Sequence, residues 1–393
     1  MSAQYEPVKT AVVGCGKISD IFIRNLSQLF SIIDLTALCN RTASVAESKA
    51  KQFGIKKVMT LEEIAADPEI ELVINLTPPE AHYDVIGQML RAGKHVFTEK
   101  VMTPDLEQSR ALVRLAEEKG LFLGVTPDTV LGAGVQTARH ILDAGLIGQV
   151  TSCQVCINRD QTLNSEIFRM LRGNGGSLPY DVGIYYVGAM LALLGPVKAV
   201  RAFGAPSVVH EPELLYTGVG TDSWQIPGNN LISAALQFES GALASVLFDG
   251  NTVNAQQHAF TIFGTRGVLQ VGDPNTFDGP VKLILPESGE CVIPFTHGYD
   301  GKNTLEPAPF DFYGHRGVGA AELAWAIRTG RKNIRCSAGY GLHCQEVLYG
   351  MDEAARTGGT YEPQSQFVME PLKPGYYSSI MGGMRGDAER SLM

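Results

Sequence analysis

The sequence predicts an α/β domain built on a parallel sheet, followed by an α+β domain with an open, antiparallel-rich sheet. Three observations carry this expectation. Over the first third, short β-branched runs alternate with helical periodicity, the order that requires a parallel sheet with right-handed crossovers. Further on, apolar runs of strand length follow one another across short turns, as antiparallel strands do. The chain's 393 residues also exceed one ordinary domain. The boundary is expected near Pro127, giving units 1–127 and 128–393.

The first strand, residues 10–13, ends at Gly14-Cys15-Gly16, after which Ile18, Ile21, Phe22, Leu26 and Leu29 recur at helical spacing. Residues 35–39 form the second strand, and 43–53 a helix closed by Gly54. A third strand, 72–76, stops at Thr77-Pro78-Pro79. A helix over 81–91 precedes Gly93, 95–98 is the fourth strand, and a long helix, 104–119, ends at Gly120 ahead of a strand over 121–125. In the second unit a helix over 135–144 leads to a strand over 149–158, and 179–194 is helical. Strands follow over 198–203, 231–238, 242–248, 258–263, 268–271 and 281–285, with a tight hairpin across Gly264-Thr265-Arg266-Gly267. Helices near 318–328 and 342–355 are expected to close the second domain.

Composition narrows the function classes. Thirty-two basic against 41 acidic residues, a net charge of −9, argue against a nucleic-acid or anionic-membrane surface. A hydrophobic share of 45% with 19% charged residues matches a soluble globular chain. The longest apolar run, 185–194, is broken by Gly188 and falls far short of the roughly 20 residues of a membrane span. Residues 1–10 carry no apolar signal core, and seven scattered cysteines make no disulfide framework. The expectation is a cytoplasmic protein. The tail, 369–393, reads as exposed, either a disordered end or an intersubunit arm.

Gly14-x-Gly16 between a strand and a helix is the context of a dinucleotide fingerprint. The first glycine allows a tight turn, the second admits a pyrophosphate, and the helix N-terminus supplies amides and a positive dipole. Lys17 and Ile18 complete this loop, and Ser19 replaces the usual third glycine or alanine. At the end of the second strand stand neutral Asn40 and cationic Arg41, where a carboxylate would select NAD by binding its ribose and repelling a 2′-phosphate. NADP is therefore favoured over NAD, with a solvated Arg41 as the plainer alternative. Cys153-x-x-Cys156 lies within a strand, where residues three apart face opposite sides, so no metal is expected. Glu99 and Lys100 end a parallel strand, where open α/β sheets place ligands. Asp181 and Tyr185 follow the glycine-rich 173–176 and share one helix face. A lysine, a carboxylate and a phenol suffice to move a proton from an alcohol, although spacing alone equally fits a surface lysine and a capping acid.

Taken together, these motifs resemble the glucose–fructose oxidoreductase and inositol dehydrogenase family (Gfo/Idh/MocA) over nearly the full chain. The resemblance runs from 12–19 through Thr77-Pro78-Pro79 with His82, 92–96 with Glu99-Lys100, Gly175-Gly176-Ser177-Leu178 with Asp181 and Tyr185, and 264–267 to 326–331. It implies a Rossmann domain, an open-faced sheet domain and hydride transfer between a nicotinamide cofactor and a sugar, polyol or related hydroxyl compound. It further implies Lys100, Asp181 and Tyr185 as the catalytic group, with Thr77, Pro78, His82 and Glu99 bordering the cofactor. Arg159, Phe168 and Arg169 are weaker candidates for the substrate wall, and a homodimer or homotetramer is expected through an uncovered sheet face. Two departures stand out. Val101 occupies the usual proline position after the lysine, so a trans bond is expected there. Tyr185 stands where many members have histidine. A glycosidase that works by transient oxidation and a non-catalytic nucleotide-binding regulator remain alternatives.

Overall fold

The computed structural model describes residues 5–209, 224–252, 258–301 and 314–375. Of the tail 369–393, residues 376–393 lie outside the described residues, while in the described part Leu372 is buried, against the exposed tail expected. The first sheet contains β1 (Val8–Val13), β2 (Ile33–Cys39), β3 (Lys57–Val58), β4 (Leu72–Asn75), β5 (His95–Thr98) and β6 (Leu123–Val125). Its spatial order is β3-β2-β1-β4-β5-β6 and every pairing is parallel. Crossovers run through α1 (Ser19–Gln28), α2 (Ala43–Phe53), α3 (Leu61–Ala66), α4 (Pro79–Arg91) and α5 (Leu106–Lys119). Because Val12, Leu72, Val73, Ile74, Val96 and Phe97 are fully buried, helices must cover both faces of this sheet. Strand order reverses between β1 and β4, and that reversal opens a crevice at the strands' carboxyl ends.

The second sheet orders its eight strands β14-β13-β12-β11-β7-β10-β9-β8. They are β7 (Val150–Asn158), β8 (Val197–Pro206), β9 (Asn229–Phe238), β10 (Leu243–Asp249), β11 (His258–Gly264), β12 (Val268–Val271), β13 (Val281–Leu285) and β14 (Gly289–Ile293). The sheet is mixed, because β10 pairs with β7 in parallel. After β7 the chain leaves the sheet and returns as a β8-β9-β10 meander on one side, while the β11–β14 meander grows from the other. That long excursion lifts the hairpin constraint on direction. Cys153 is buried and Cys156 half-buried on β7, as alternation requires.

Within the excursion lie α7 (Gln161–Ile167) and α8 (Ile184–Leu194), and α6 (Ala133–Asp143) precedes β7. All of α8 is buried, so it needs no polar face, and it packs on the inner side of the sheet with Ile232, Val246 and Phe248. The outer side alternates exposed Ser233, Ala235 and Gln237 on β9 with Ser245 on β10, and Leu243 there is 55% exposed. The last helices, α9 (Val318–Thr329) and α10 (Ala338–Thr357), correct one expectation. Both lie against the first sheet, and α10 packs on β8 and β9 of the second as well: a Cβ on Gly319 would sit 2.7 Å from Phe97, and one on Gly341 2.5 Å from Val125. The last helices thus cover an apolar face of the parallel sheet that its own helices leave open. No helix among the described residues is long and apolar enough to cross a membrane.

Candidate active site

The glycine loop is shaped by close approach on one side and open space on the other. Gly14 has φ +102°, and a Cβ there would lie 2.6 Å from the Leu76 carbonyl, so only glycine brings β1 this close to the end of β4. A Cβ on Gly16 would meet nothing within 4 Å. Beyond it α1 begins without a side-chain cap. The helix start lies beside exposed Gly16 and Lys17, an open approach that fits a dinucleotide pyrophosphate. Ser19 is fully buried and its hydroxyl donates to the Gly16 carbonyl at 2.6 Å, closing the turn that a third glycine would otherwise tighten. Asn40 braces the same loop: its Oδ1 accepts from the Cys15 amide at 3.1 Å, and its Nδ2 donates to the Thr42 carbonyl. Arg41 is exposed beside it.

Across the crevice, Lys100 Nζ donates to Asp181 Oδ1 at 3.1 Å and to the Asp181 carbonyl at 2.9 Å. The same ammonium lies 5.4 Å from the Tyr185 ring centroid. Lys100 and Asp181 are mostly buried, with side chains 17% and 21% exposed, and Tyr185 is 7% exposed. Asp181 and Tyr185 do not lie on one continuous α-helix, because Pro179–Gly183 forms a π turn ahead of α8. Both nevertheless reach the lysine. Burial works to lower the Lys100 pKa, but Asp181, Tyr185 and Glu99 more than reverse it, so the amine stays protonated. Burial would raise Asp181, yet Lys100, Gln161 and Arg159 hold it below the usual carboxylate range. Burial pushes the Tyr185 phenol above its ordinary value despite the downward pull of Arg316 and Lys100, while Glu99 and Asp181 add to the rise.

The bond between Lys100 and Val101 is cis, correcting the trans expectation. Packing and hydrogen bonding around the bond decide the matter: Val101 is 6% exposed, and its carbonyl lies 2.8 Å from His82 Nδ1. His82 is itself fully buried, and its Nε2 lies 2.8 Å from the Thr77 carbonyl, so the ring holds the loops after β4 and β5 together. Burial pushes that imidazole below its ordinary pKa, outweighing the opposing carbonyl contacts. Thr77 Oγ1 donates to Asn75 Oδ1 at 2.7 Å, and Pro78 caps α4. One Glu99 oxygen accepts from the Lys100 amide at 3.2 Å, and the other is buried without a hydrogen-bond partner.

Three candidates for the substrate wall separate. Arg159 follows β7, and its charge acts on Asp181. Phe168 instead meets the glycine loop, with Lys17 Nζ 4.8 Å from its ring centroid, and Arg169 is exposed. Sequence reasoning missed three residues at this site. Gln161 is fully buried, and its Nε2 donates to Asp181 Oδ2 at 3.0 Å and to the Gly176 carbonyl at 2.9 Å. Asp128 and Arg316, both buried, lie 4.0 Å apart, and the Arg316 guanidinium carbon is 4.9 Å from the Tyr185 centroid. Asp128 directly follows Pro127 at the carboxyl end of β6, a signal that sequence alone offered.

A Rossmann sheet with a glycine loop after β1, and a lysine–carboxylate–phenol cluster whose lysine follows β5, define a dinucleotide-binding class of architecture. The chain belongs to the Gfo/Idh/MocA family. Residues 8–126 match its model for an oxidoreductase family with an NAD-binding Rossmann fold, and 135–270 match its C-terminal domain. An oxidoreductase of Schizosaccharomyces pombe is 35% identical over 199 residues, covering 50% of this chain and 54% of that protein. The match thus spans about half the length of that curated relative. The scyllo-inositol 2-dehydrogenase (NADP(+)) of Bacillus subtilis is 28% identical over 66% of this chain and 67% of its own. Among solved structures, levoglucosan dehydrogenase in complex with NADH and levoglucosan superposes with a TM-score of 0.76 at 19% identity, covering 91% of this chain and all of that one.

Proposed function

We propose that this chain is an NAD(P)-dependent oxidoreductase that moves hydride between a nicotinamide cofactor and a hydroxyl-bearing carbon of a sugar, polyol or related compound. The observation that carries the proposal is the convergence of Lys100, which follows β5 in the domain that also carries the open glycine loop, with Asp181 and Tyr185. When bound, the nicotinamide supplies or accepts the hydride. Gly14, Gly16, Lys17 and Ile18 hold its pyrophosphate, Asn40 and Arg41 meet the adenosine ribose, and Thr77, Pro78 and Glu99 border the remainder, with His82 bracing their loops. Tyr185 exchanges the proton with the substrate oxygen. Lys100, held protonated by Asp181, stabilises negative charge on that oxygen. Arg159 lines the substrate side.

The neutral Asn40 and cationic Arg41 favour NADP, and the relative from Bacillus subtilis carries NADP(+) in its name. The working unit is a cytoplasmic homo-oligomer joined through the outer face of the second sheet, with the domain boundary at Pro127. A panel of sugars and polyols assayed by reduced-nicotinamide absorbance tests the activity. Turnover that Tyr185→Phe lowers by about 10²–10⁴ supports it. Glycoside cleavage without net reduction, or cofactor binding without any turnover, overturns it.

A further inference from the structure

Two cations approach the Tyr185 ring, and only one of them belongs to the lysine–aspartate pair. Lys100 Nζ stands 5.4 Å from the ring centroid and the Arg316 guanidinium carbon 4.9 Å. Arg316 is 1% exposed, an uncommon place for a guanidinium, and three elements fix it there. Its Nη2 donates to Asn275 Oδ1 at 2.8 Å, in the loop between β12 and β13. Its Nη1 faces Asp128 Oδ1 at 4.0 Å, while the other oxygen of that carboxylate accepts from the Gly317 and Gly319 amides at the start of α9. Its carbonyl accepts from Asn25 Nδ2 on α1 at 2.8 Å. One carboxylate thus anchors both the helix start and the cation.

We propose that Arg316 is a positioning residue for this reaction, acting through Tyr185: it stabilises the phenolate that takes the substrate's proton, and Asp128 sets how much of its charge Tyr185 feels. The inference rests on Tyr185 being the proton acceptor. In the oxidative direction the hydroxyl proton passes to the phenolate oxygen as the C–H electron pair leaves with hydride for the oxidised nicotinamide, and Arg316 keeps all its protons. Among the described residues, the charged groups facing Tyr185 are Lys100 and Glu99 from the end of β5, Asp181 from the π turn and Arg316 from ahead of α9. Lys100 is paired with Asp181 at 3.1 Å, whereas the Arg316 guanidinium lies 4.0 Å from Asp128 and is held by a different set of contacts. Asp128 in turn faces Arg316 and Glu99, and burial pushes its carboxyl up to about 6.

The test compares pH profiles of alcohol oxidation by the full chain with saturating cofactor, for the native protein, Arg316→Gln, Arg316→Lys, Asp128→Asn and Tyr185→Phe. Arg316→Gln should move the alkaline ionisation up by roughly one pH unit and cut the rate near neutrality about tenfold, with cofactor affinity unchanged. Arg316→Lys should restore most of the native profile. Asp128→Asn, which removes the carboxylate 4.0 Å from the guanidinium, should move the ionisation down. An Arg316→Gln enzyme with an unshifted ionisation, whether active or impaired, overturns the inference. Should that variant fail to fold, an unshifted Asp128→Asn profile overturns it in the same way. Tyr185→Phe separates the two levels. A native profile in that variant removes the proposed proton acceptor itself, whereas its loss alongside unshifted Arg316 and Asp128 variants removes only the role of Arg316.

Discussion

Gln161 and Lys100 hold opposite oxygens of one carboxylate: Nε2 of the first is 3.0 Å from Asp181 Oδ2, and Nζ of the second is 3.1 Å from Asp181 Oδ1. With both oxygens engaged by donors, Asp181 is poorly placed to accept a proton from substrate. Its chemistry is to fix the lysine and keep it charged. Three parts of the fold meet in this arrangement: the end of β5, the start of α7 and the π turn before α8.

Gln161→Leu should therefore lower kcat while cofactor still binds through the glycine loop. A buried carboxylate oxygen without its donor costs roughly 1–3 kcal/mol, equivalent to about a 5- to 150-fold loss if it appears entirely in the transition state. Steady-state kinetics with a parallel cofactor titration check this. Normal kcat with weakened cofactor binding would place Gln161 elsewhere in the reaction.

Cofactor preference should follow the residues at the end of β2. Arg41→Ala should weaken NADP binding by about tenfold and leave NAD binding nearly unchanged, since only the 2′-phosphate needs that guanidinium. Asn40→Asp keeps an acceptor for the Cys15 amide, loses the donor to the Thr42 carbonyl, and brings a charge that a 2′-phosphate resists. Isothermal titration with both cofactors reads each change, and an Arg41→Ala protein that binds NADP as tightly as the native one would refute the assignment.

Much of this fold was legible because its signals are local. Strand runs, helix-closing glycines such as Gly54 and Gly120, and the hairpin at 264–267 all depend on neighbours in sequence. Elements too short for periodicity were missed. β3 has two residues, and α3 has six, although the Thr60–Glu63 capping box was present to mark it. The Lys100, Asp181 and Tyr185 constellation was accessible through motif order. Arg316 was not, because it enters the site by packing α9 against β1, β5 and β6, and no spacing records a contact made across most of the chain. The parallel β7–β10 pairing escaped for the same reason.

Self-association should follow from the outer face of the second sheet. Leu243 is 55% exposed at one end of β10, and Ser233, Ala235 and Ser245 are small, so a second copy could approach closely. A closed homo-oligomer is expected by light scattering at micromolar concentration. Ala235→Lys together with Ser245→Glu should weaken that assembly without unfolding the protomer, because both side chains point outward. A native protein that scatters as a monomer would refute this assignment.

The direction of proton movement sets the last expectation. Tyr185 sits above its ordinary phenol pKa, so at neutral pH it carries its proton. In that state it is ready to donate to the oxygen of a ketone being reduced, while in oxidation it accepts a proton only after it has ionised. Reduction should therefore be flat through neutral pH and decline on the alkaline side, as the protonated phenol is lost. Oxidation should rise with pH over the same alkaline range. Lys100 does not reverse this order, because Asp181 and Glu99 outweigh its burial and keep it protonated. Cofactor binding should show no matching transition, since the Gly14–Gly16 loop offers its ligand backbone amides and burial raises the pKa of its one thiol, Cys15. Rates measured in both directions, with buffers of constant ionic strength, reveal whether the two alkaline limbs mirror each other. Limbs that fall together, or an oxidation rate already at its plateau below neutral pH, would mean that a group other than Tyr185 handles the proton.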